Sequence, residues 1–187
     1  MYYKKILAAA LTVSCIGGIV PANSVQAASL KIRYSGKTRY YKGKQLHVSY
    51  ANKNLSSKYV GIQINKVNMI PYYDYLVKQG PKVKRTYSKS SGKLILKNGD
   101  DTLTAYVGKR TYYLNGVKKT FSVAPTKVKY YKTKKTIILI PANAIVKGLG
   151  LNYKYSSSSK RIYITQPVIP SDSTTQVQTQ PSGSVQY

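Results

Sequence analysis

A motif that occurs twice constrains the fold of this chain more than any other feature of its sequence. Residues 69–71 read Met-Ile-Pro, and residues 139–141 read Leu-Ile-Pro. Each copy is followed by a short segment that ends at a glycine, Gly80 or Gly150, the residue type most common just past a helix. A turn rich in Ser and Lys and a strand-like run come next in both copies. This recurrence predicts that the chain is built from two similar units.

The residues upstream of each copy also correspond. Residues 32–37 and 112–117 each place a glycine between two strand-forming runs, and the Asn115-Gly116 pair is the strongest short signal of a β-hairpin. Apolar strands that lead into the repeated motif are predicted at 60–64 and 136–140. Each unit therefore reads as a hairpin, a strand, a short helix and a second hairpin.

The periodicity of the apolar residues indicates the fold class. They recur mostly with a period of two, and the 20 tyrosines suit half-buried strands. Helices are predicted only at 72–79 and 142–149. We therefore predict an α+β fold with antiparallel sheets, in which two similar β-rich units each carry β-hairpins and one short helix. The predicted units are residues 28–102 and 103–166.

The first residues have the pattern of an export leader. Lys4 and Lys5 precede a charge-free apolar run at 6–20, and residues 24–27 supply a small-residue cleavage pattern. We predict a signal peptide at 1–27 and hence a secreted protein. The alternative is a membrane anchor, but the apolar run is shorter than the roughly 20 residues that a spanning helix needs.

Two further segments lie outside the predicted units. Cys15 would hold a lipid if the leader were that of a lipoprotein, and the protein would then contact a membrane. Leu11 and Thr12 depart from the lipoprotein pattern, so we expect Cys15 to be removed with the leader. Residues 167–187 are mainly Pro, Ser, Thr, Gln and Val, which cannot bury a core, and we predict a disordered tail there.

The chain is strongly basic. Lys and Arg number 31 against 4 acidic residues, which gives a formal net charge of +27. A field of this size attracts polyanions over long distances. The alternative, which stays open, is that the charge only forms a solvated surface.

Basic residues alternate with tyrosines in three parts of the chain. Lys and Arg pair with phosphate or carboxylate groups, and Tyr stacks on sugars or bases. For each residue the alternative is that tyrosines fill the core while lysines face water. The candidate polyanion-binding residues are Lys82, Lys84, Arg85, Lys109, Arg110, Lys118, Lys119, Lys127, Lys129, Tyr130, Tyr131, Lys132, Lys134 and Lys135.

The inventory of reactive side chains argues against catalysis. His47 is the only histidine, Cys15 is the only cysteine, and there is no Glu to act as an acid or base. Asp100 and Asp101 are adjacent in a Gly-Asp-Asp sequence that is typical of a turn. We therefore predict no catalytic residue, no metal, no cofactor and no small-molecule substrate, and a protein that is not an enzyme.

An ordered series of motifs in the second unit resembles a known family. The motifs are Val107-Gly108, 113–116 (Tyr-Leu-Asn-Gly), Ala124-Pro125, 139–141, 148–150 (Gly-Leu-Gly), Tyr153-x-Tyr155 and 161–164 (Arg-Ile-Tyr-Ile). This series resembles the copper amine oxidase N-terminal-like domain, or stalk domain, of Gram-positive secreted proteins. Tyr155 stands where that family usually has Trp. The resemblance covers about 103–166 and, with more departures, 30–97.

The resemblance implies an accessory role at the cell envelope and no oxidase activity. The family is named after a domain appended to amine oxidases, not after their catalytic domain. Copper prefers several imidazole ligands, and this chain has one histidine. An amine oxidase also needs its cofactor-forming Tyr between Asn and an acid, whereas Lys154 follows Asn152 and Tyr153 here.

Charge and resemblance together predict a secreted, non-catalytic module associated with the cell wall. It would be retained on anionic wall polymers, such as teichoic acid or glycan, by its positive charge. Two alternatives stay open at this point. One is an extracellular adhesin or stalk, and the other is a protein that binds extracellular nucleic acid.

Overall fold

The computed structural model describes residues 29–168. The predicted leader at 1–27, with Cys15, and most of the predicted tail at 167–187 lie outside the described residues. Two short helices occupy Tyr73–Gln79, where the helix is of the π type, and Ala142–Gly148. The strands are β1 (Leu30–Tyr34), β2 (Lys37–Tyr41), β3 (His47–Tyr50), β4 (Lys53–Leu55), β5 (Ile62–Ile64), β6 (Val67–Pro71), β7 (Lys84–Tyr87), β8 (Lys93–Asn98), β9 (Asp101–Tyr106), β10 (Thr111–Leu114), β11 (Val117–Thr120), β12 (Thr126–Tyr130), β13 (Lys135–Pro141), β14 (Asn152–Ser156) and β15 (Arg161–Thr165).

The prediction of an α+β fold is wrong, because the protein is mainly β. Strands hold 52% of the described residues and helices hold 11%. Both helices lie where the sequence predicts them, but each is too short to bury a full apolar face of its own. The sheets therefore supply most of the core. The sheets are antiparallel, as predicted, apart from one parallel strand pair, β3 with β15.

The strands form three sheets. The six-stranded sheet has the order β2-β1-β12-β13-β6-β5, the five-stranded sheet β11-β10-β9-β8-β7, and the four-stranded sheet β14-β15-β3-β4. The hairpin predicted at Asn115-Gly116 joins β10 to β11, and Ser35-Gly36 joins β1 to β2. All three sheets contain strands from both predicted units. The division into units 28–102 and 103–166 stays a prediction.

The two copies of the repeated motif pair with each other. Ile70 on β6 lies opposite Ile140 on β13, Leu139 lies opposite Pro71, and Pro141 lies opposite Met69. An antiparallel pair of equivalent segments has a local twofold axis at its centre. The axis here passes between the two isoleucines, and the helix that follows each copy packs close to it.

The six-stranded sheet curls around a small core of its own. Ile32, Met69, Val128 and Leu139 point to this core from four of its strands. The two outer strands approach each other, since the Tyr41 hydroxyl of β2 accepts a hydrogen bond from the Gln63 backbone amide of β5 at 2.8 Å. The sheet is therefore a partly closed barrel with one face inward.

The opposite face of this sheet is covered over only half of its width. Over β6 and β13 it carries Ile70 and Ile140, which are buried in a larger core together with Tyr75, Ile145 and other residues of both helices. Over β12, β1 and β2 the same face carries exposed polar residues. This open half of the sheet is where the candidate site lies.

The repeat extends to two buried tyrosine hydroxyls. Tyr87 lies opposite Leu94, and Tyr155 lies opposite Ile162, at corresponding places in the hairpins that follow the two helices. Both hydroxyls are buried and have no hydrogen-bond partner among the described residues. An unpaired buried hydroxyl costs about 1–3 kcal/mol of stability.

Removing either hydroxyl should therefore not destabilise the protein. We expect Tyr87→Phe and Tyr155→Phe to leave the free energy of unfolding unchanged or to raise it by about 1 kcal/mol in urea denaturation. Tyr130→Phe is the contrasting variant, because its hydroxyl donates to the Val60 carbonyl at 2.6 Å. That variant should lose about 1 kcal/mol. An equal loss in all three variants would show that the first two hydroxyls are also satisfied.

Candidate polyanion-binding surface

Four cations lie on the open half of the six-stranded sheet. Alternation along β1 turns Ile32 to the small core and leaves Lys31 and Arg33 exposed. Along β12, Val128 is likewise buried while Lys127 and Lys129 are exposed. Arg33 lies directly opposite Lys129, so all four side chains share one face. We call Lys31, Arg33, Lys127 and Lys129 the basic face.

Two tyrosines lie among these cations. The Lys31 ammonium is 5.5 Å from the ring centre of Tyr40 and 5.1 Å from that of Tyr131. The Lys129 ammonium is 5.5 Å from the same Tyr131 ring. Cations at this distance over a ring are held by its negative face. The rings therefore position the lysines and are already partly covered by them.

The pKa of the Tyr131 phenol reflects the positive potential of this surface. A hydrogen bond with the Thr38 hydroxyl, at 3.0 Å, lowers the pKa of the Tyr131 phenol. The charges of Lys129, Arg33 and Lys31 lower this pKa further, because they stabilise the phenolate. The same charges would stabilise any anion that approaches the basic face.

A groove continues the basic face towards the five-stranded sheet. Its volume is about 620 Å³, and no acidic residue is among the residues that line it. The turn that precedes β8 is held against the end of β9 by a hydrogen bond from the Val107 amide to the Gly92 carbonyl at 2.9 Å. The lining residues that carry a charge or a hydroxyl group are Arg33, Tyr34, Ser35, Lys89, Ser90, Ser91, Thr126, Lys127, Lys129 and Thr136.

The structure brings only part of the sequence-predicted set to this surface. Lys127, Lys129 and Tyr131 lie on it. Lys132, Lys134 and Lys135 lie in the turn from β12 to β13 and at the start of β13, at one end of the same sheet. Tyr130 does not take part, because it is 2% exposed and burial raises the pKa of its phenol. Its side chain faces the small core and cannot meet a ligand on the surface.

The remaining predicted residues are scattered around the five-stranded sheet. Lys84 and Arg85 lie on β7 and Lys118 and Lys119 on β11, which are the opposite edges of that sheet. Lys82 follows the first helix, and its ammonium donates to the Lys78 carbonyl. Two others have partners within the protein: the Lys109 ammonium lies 5.5 Å from the Tyr106 ring centre, and Arg110 Nε donates to the Phe121 carbonyl at 2.7 Å.

Two of the four cations of the basic face, Lys31 and Arg33, are not among the residues predicted from the sequence. Lys31 and Arg33 flank Ile32 in an alternating pattern, which indicates that they share one side of a strand. Their proximity to Lys127 and Lys129 depends on the pairing of β1 with β12, which brings together distant parts of the chain. No local signal in the sequence predicts that pairing.

The reactive side chains lie apart from this surface. His47 is exposed at the start of β3. Asp74 accepts a hydrogen bond from the Ser57 hydroxyl at 2.6 Å, and Asp101 accepts one from the Asn115 side-chain amide at 3.0 Å. Within 29–168, no three His, Cys, Asp or Glu residues come together in a way that would hold a metal ion. The helices of this part of the chain are also too short to cross a membrane.

Comparison with known proteins identifies the family. Searches of curated proteins and of solved structures found no match. A family model, the copper amine oxidase N-terminal domain, matches residues 50–164, which is more than half of the chain and agrees with the resemblance seen in the sequence. The matched range contains β12 but neither β1 nor β2, so one side of the basic face lies outside it. The chain belongs to the copper amine oxidase N-terminal domain family, whose domain is non-catalytic.

Proposed function

We propose that this chain is an exported, non-catalytic module of the cell envelope that is retained on teichoic acid by its basic face. The observation that carries the proposal is the open half of the six-stranded sheet. There Lys31, Arg33, Lys127 and Lys129 share one exposed face, next to a groove that no acidic side chain lines. Such a surface attracts a flexible chain of negative charges more strongly than the net charge alone does.

The spacing of these cations suits a polymer with regularly repeated charges. Residues two apart on a strand, such as Lys127 and Lys129, are separated by about 7 Å, and directly opposite residues such as Arg33 and Lys129 by about 5 Å. The four cations therefore form a compact array rather than a single point charge. Several phosphates of one polymer chain can contact this array together, which multiplies weak single contacts.

The tyrosines of the surface favour a polyol phosphate over a nucleic acid. Proteins that bind single-stranded nucleic acid stack bases on free aromatic rings. Here Lys31 lies over the rings of Tyr40 and Tyr131, and Lys129 lies over Tyr131 as well. The surface thus offers cations for phosphates and few free rings for bases.

Export and the absence of catalysis are supported by the sequence and by the carboxylates. The pattern at 1–27 is that of a signal peptide, and it lies outside the described residues. Asp74 and Asp101 are far apart in the chain. Each accepts a hydrogen bond from one neighbouring side chain, as structural carboxylates do. Asp100 and Asp101 are neighbours at a turn, whereas hydrolysis of a glycan needs two carboxylates on opposite sides of one bond.

Fractionation on purified cell walls tests the proposal. Protein lacking residues 1–27 is mixed with walls that carry teichoic acid and with walls stripped of it, over a salt series from about 50 to 200 mM. We expect retention on the first walls only, and a steep loss of retention as salt rises. Equal retention on both walls, or retention that salt does not weaken, would contradict the proposal. Tighter binding to single-stranded DNA under the same salts would favour the nucleic-acid alternative.

A further inference from the structure

A second pocket opens on the same side of the six-stranded sheet, next to the groove. It lies between the first helix and β13, has a volume of about 260 Å³, and shares Thr136 with the groove. Four tyrosines line it: Tyr59, Tyr72, Tyr73 and Tyr87. We call it the tyrosine pocket. Its volume is just below the range of sites for drug-sized ligands, so it suits a single ring.

The local twofold axis gives this pocket an equivalent with different chemistry. The equivalent pocket lies beside the second helix and has a volume of about 360 Å³. There Asn143 stands where the tyrosine pocket has Tyr73, and Ala144 stands in place of Asp74. Tyr153 and Tyr155 line this second pocket as well, but an aromatic ring on the helix and a carboxylate beside it are specific to the first pocket.

The first helix places an exposed ring and a carboxylate side by side. Tyr73 is 46% exposed although it lines the pocket. The Arg85 guanidinium lies 4.7 Å from its ring centre, but Arg85 is not among the residues that line the pocket, so the side of the ring towards the pocket is free of it. Asp74 accepts one hydrogen bond, from Ser57, and a carboxylate has capacity for several. Ile137, Ile138 and Pro71 add apolar surface to the lining.

The residues that line the tyrosine pocket favour one chemical class of ligand. The partially negative face of an aromatic ring attracts the C–H groups of a sugar ring. The carboxylate accepts hydrogen bonds from sugar hydroxyls. A cation is disfavoured, because Arg85 already lies over Tyr73 and the whole protein is strongly positive. A purely apolar ligand would leave the Asp74 carboxylate without water or a new partner.

We propose that the tyrosine pocket binds one uncharged sugar ring of a glycan. This inference goes beyond the retention on anionic polymers, since it needs no positive charge in the site. Because Thr136 borders both sites, a sugar carried by an anionic polymer in the groove reaches the pocket directly. The groove and the tyrosine pocket would then bind different parts of one wall polymer.

An NMR titration at high salt tests the sugar site separately from the basic face. The probes are neutral tetramers of glucose and of N-acetylglucosamine, added to the isotope-labelled chain in about 1 M salt, where the Debye length is about 3 Å. We expect at least one tetramer to give saturable shifts in the first helix and in β13. Saturable binding by neither tetramer would overturn the proposal, whatever the outcome on cell walls.

Two variants of Tyr73 and one matched control locate the binding. Tyr73→Ala should weaken binding at least about fivefold, the lower end of the loss for one stacking ring, while Tyr73→Phe retains it. Asn143→Ala alters the equivalent position of the other pocket and should bind as the wild type does. Undiminished binding by a folded Tyr73→Ala protein would overturn the assignment. Folding is checked by the amide spectrum, and the partial exposure of Tyr73 favours a folded variant.

Discussion

Replacing the four cations of the basic face by glutamine should lower the affinity for walls that carry teichoic acid by about a thousandfold. The estimate follows from about 1 kcal/mol for each Lys or Arg that lies near an anionic surface. The variant combines Lys31→Gln, Arg33→Gln, Lys127→Gln and Lys129→Gln. All four side chains are exposed, so we expect the fold to persist.

The salt dependence of binding by this variant should also weaken, because fewer counterions are released. The slope of log affinity against log salt should become shallower by about 3.

A second variant with the same change in net charge is the matched control. It replaces Lys84, Lys97, Lys118 and Lys119, which are exposed on the five-stranded sheet, by glutamine. If the basic face is the binding site, this control keeps most of the affinity and most of the salt slope. If both variants lose affinity equally, retention depends on total charge and the assignment to the basic face is wrong.

Truncation at the local twofold axis should produce the largest loss of stability. Ile140 is 0% exposed and lies opposite Ile70, where the two copies of the motif meet. We expect Ile140→Ala to lower the free energy of unfolding in urea by about 2–5 kcal/mol, and Ile140→Val by about 0.5–1.5 kcal/mol. The larger value is a large part of the stability of an ordinary domain, which is about 5–15 kcal/mol.

Two further observations would complete this stability test. Val117→Ala, in a side chain that is 60% exposed on β11, should change the free energy of unfolding by no more than about 0.5 kcal/mol. The larger core contains residues from both copies of the repeat, so we expect one cooperative transition in every variant. Two separate transitions in Ile140→Ala would contradict a core shared by both copies.

Local features of the fold were predictable from the sequence, and its long-range pairing was not. The Asn115-Gly116 hairpin and the two helices are specified by neighbouring residues, and each forms where predicted. The order of strands in the sheets depends instead on contacts such as that of Ile32 with Tyr130, which are far apart in the chain. The fold class was misjudged because two recognisable helices were given too much weight beside many short strands.

The candidate site shows the same division at the level of single residues. Lys127 and Lys129 were predicted, because basic residues cluster with tyrosines in that segment. Tyr130 and Tyr131 looked equivalent in the sequence, yet Tyr130 is buried in the small core and Tyr131 lies among the cations. Neighbouring residues of a strand point to opposite faces, so the register of β12 decides which tyrosine meets a ligand.

Chemical-shift mapping with purified teichoic acid tests the central claim most directly. The amide spectrum of the isotope-labelled chain is followed as the polymer is added at about 0.15 M salt, where the Debye length is about 8 Å. If the basic face binds the polymer, the largest changes fall on β1, β2 and β12 and on the turn that precedes β8. Largest changes on β7 or β11, or equal changes across all three sheets, would contradict it.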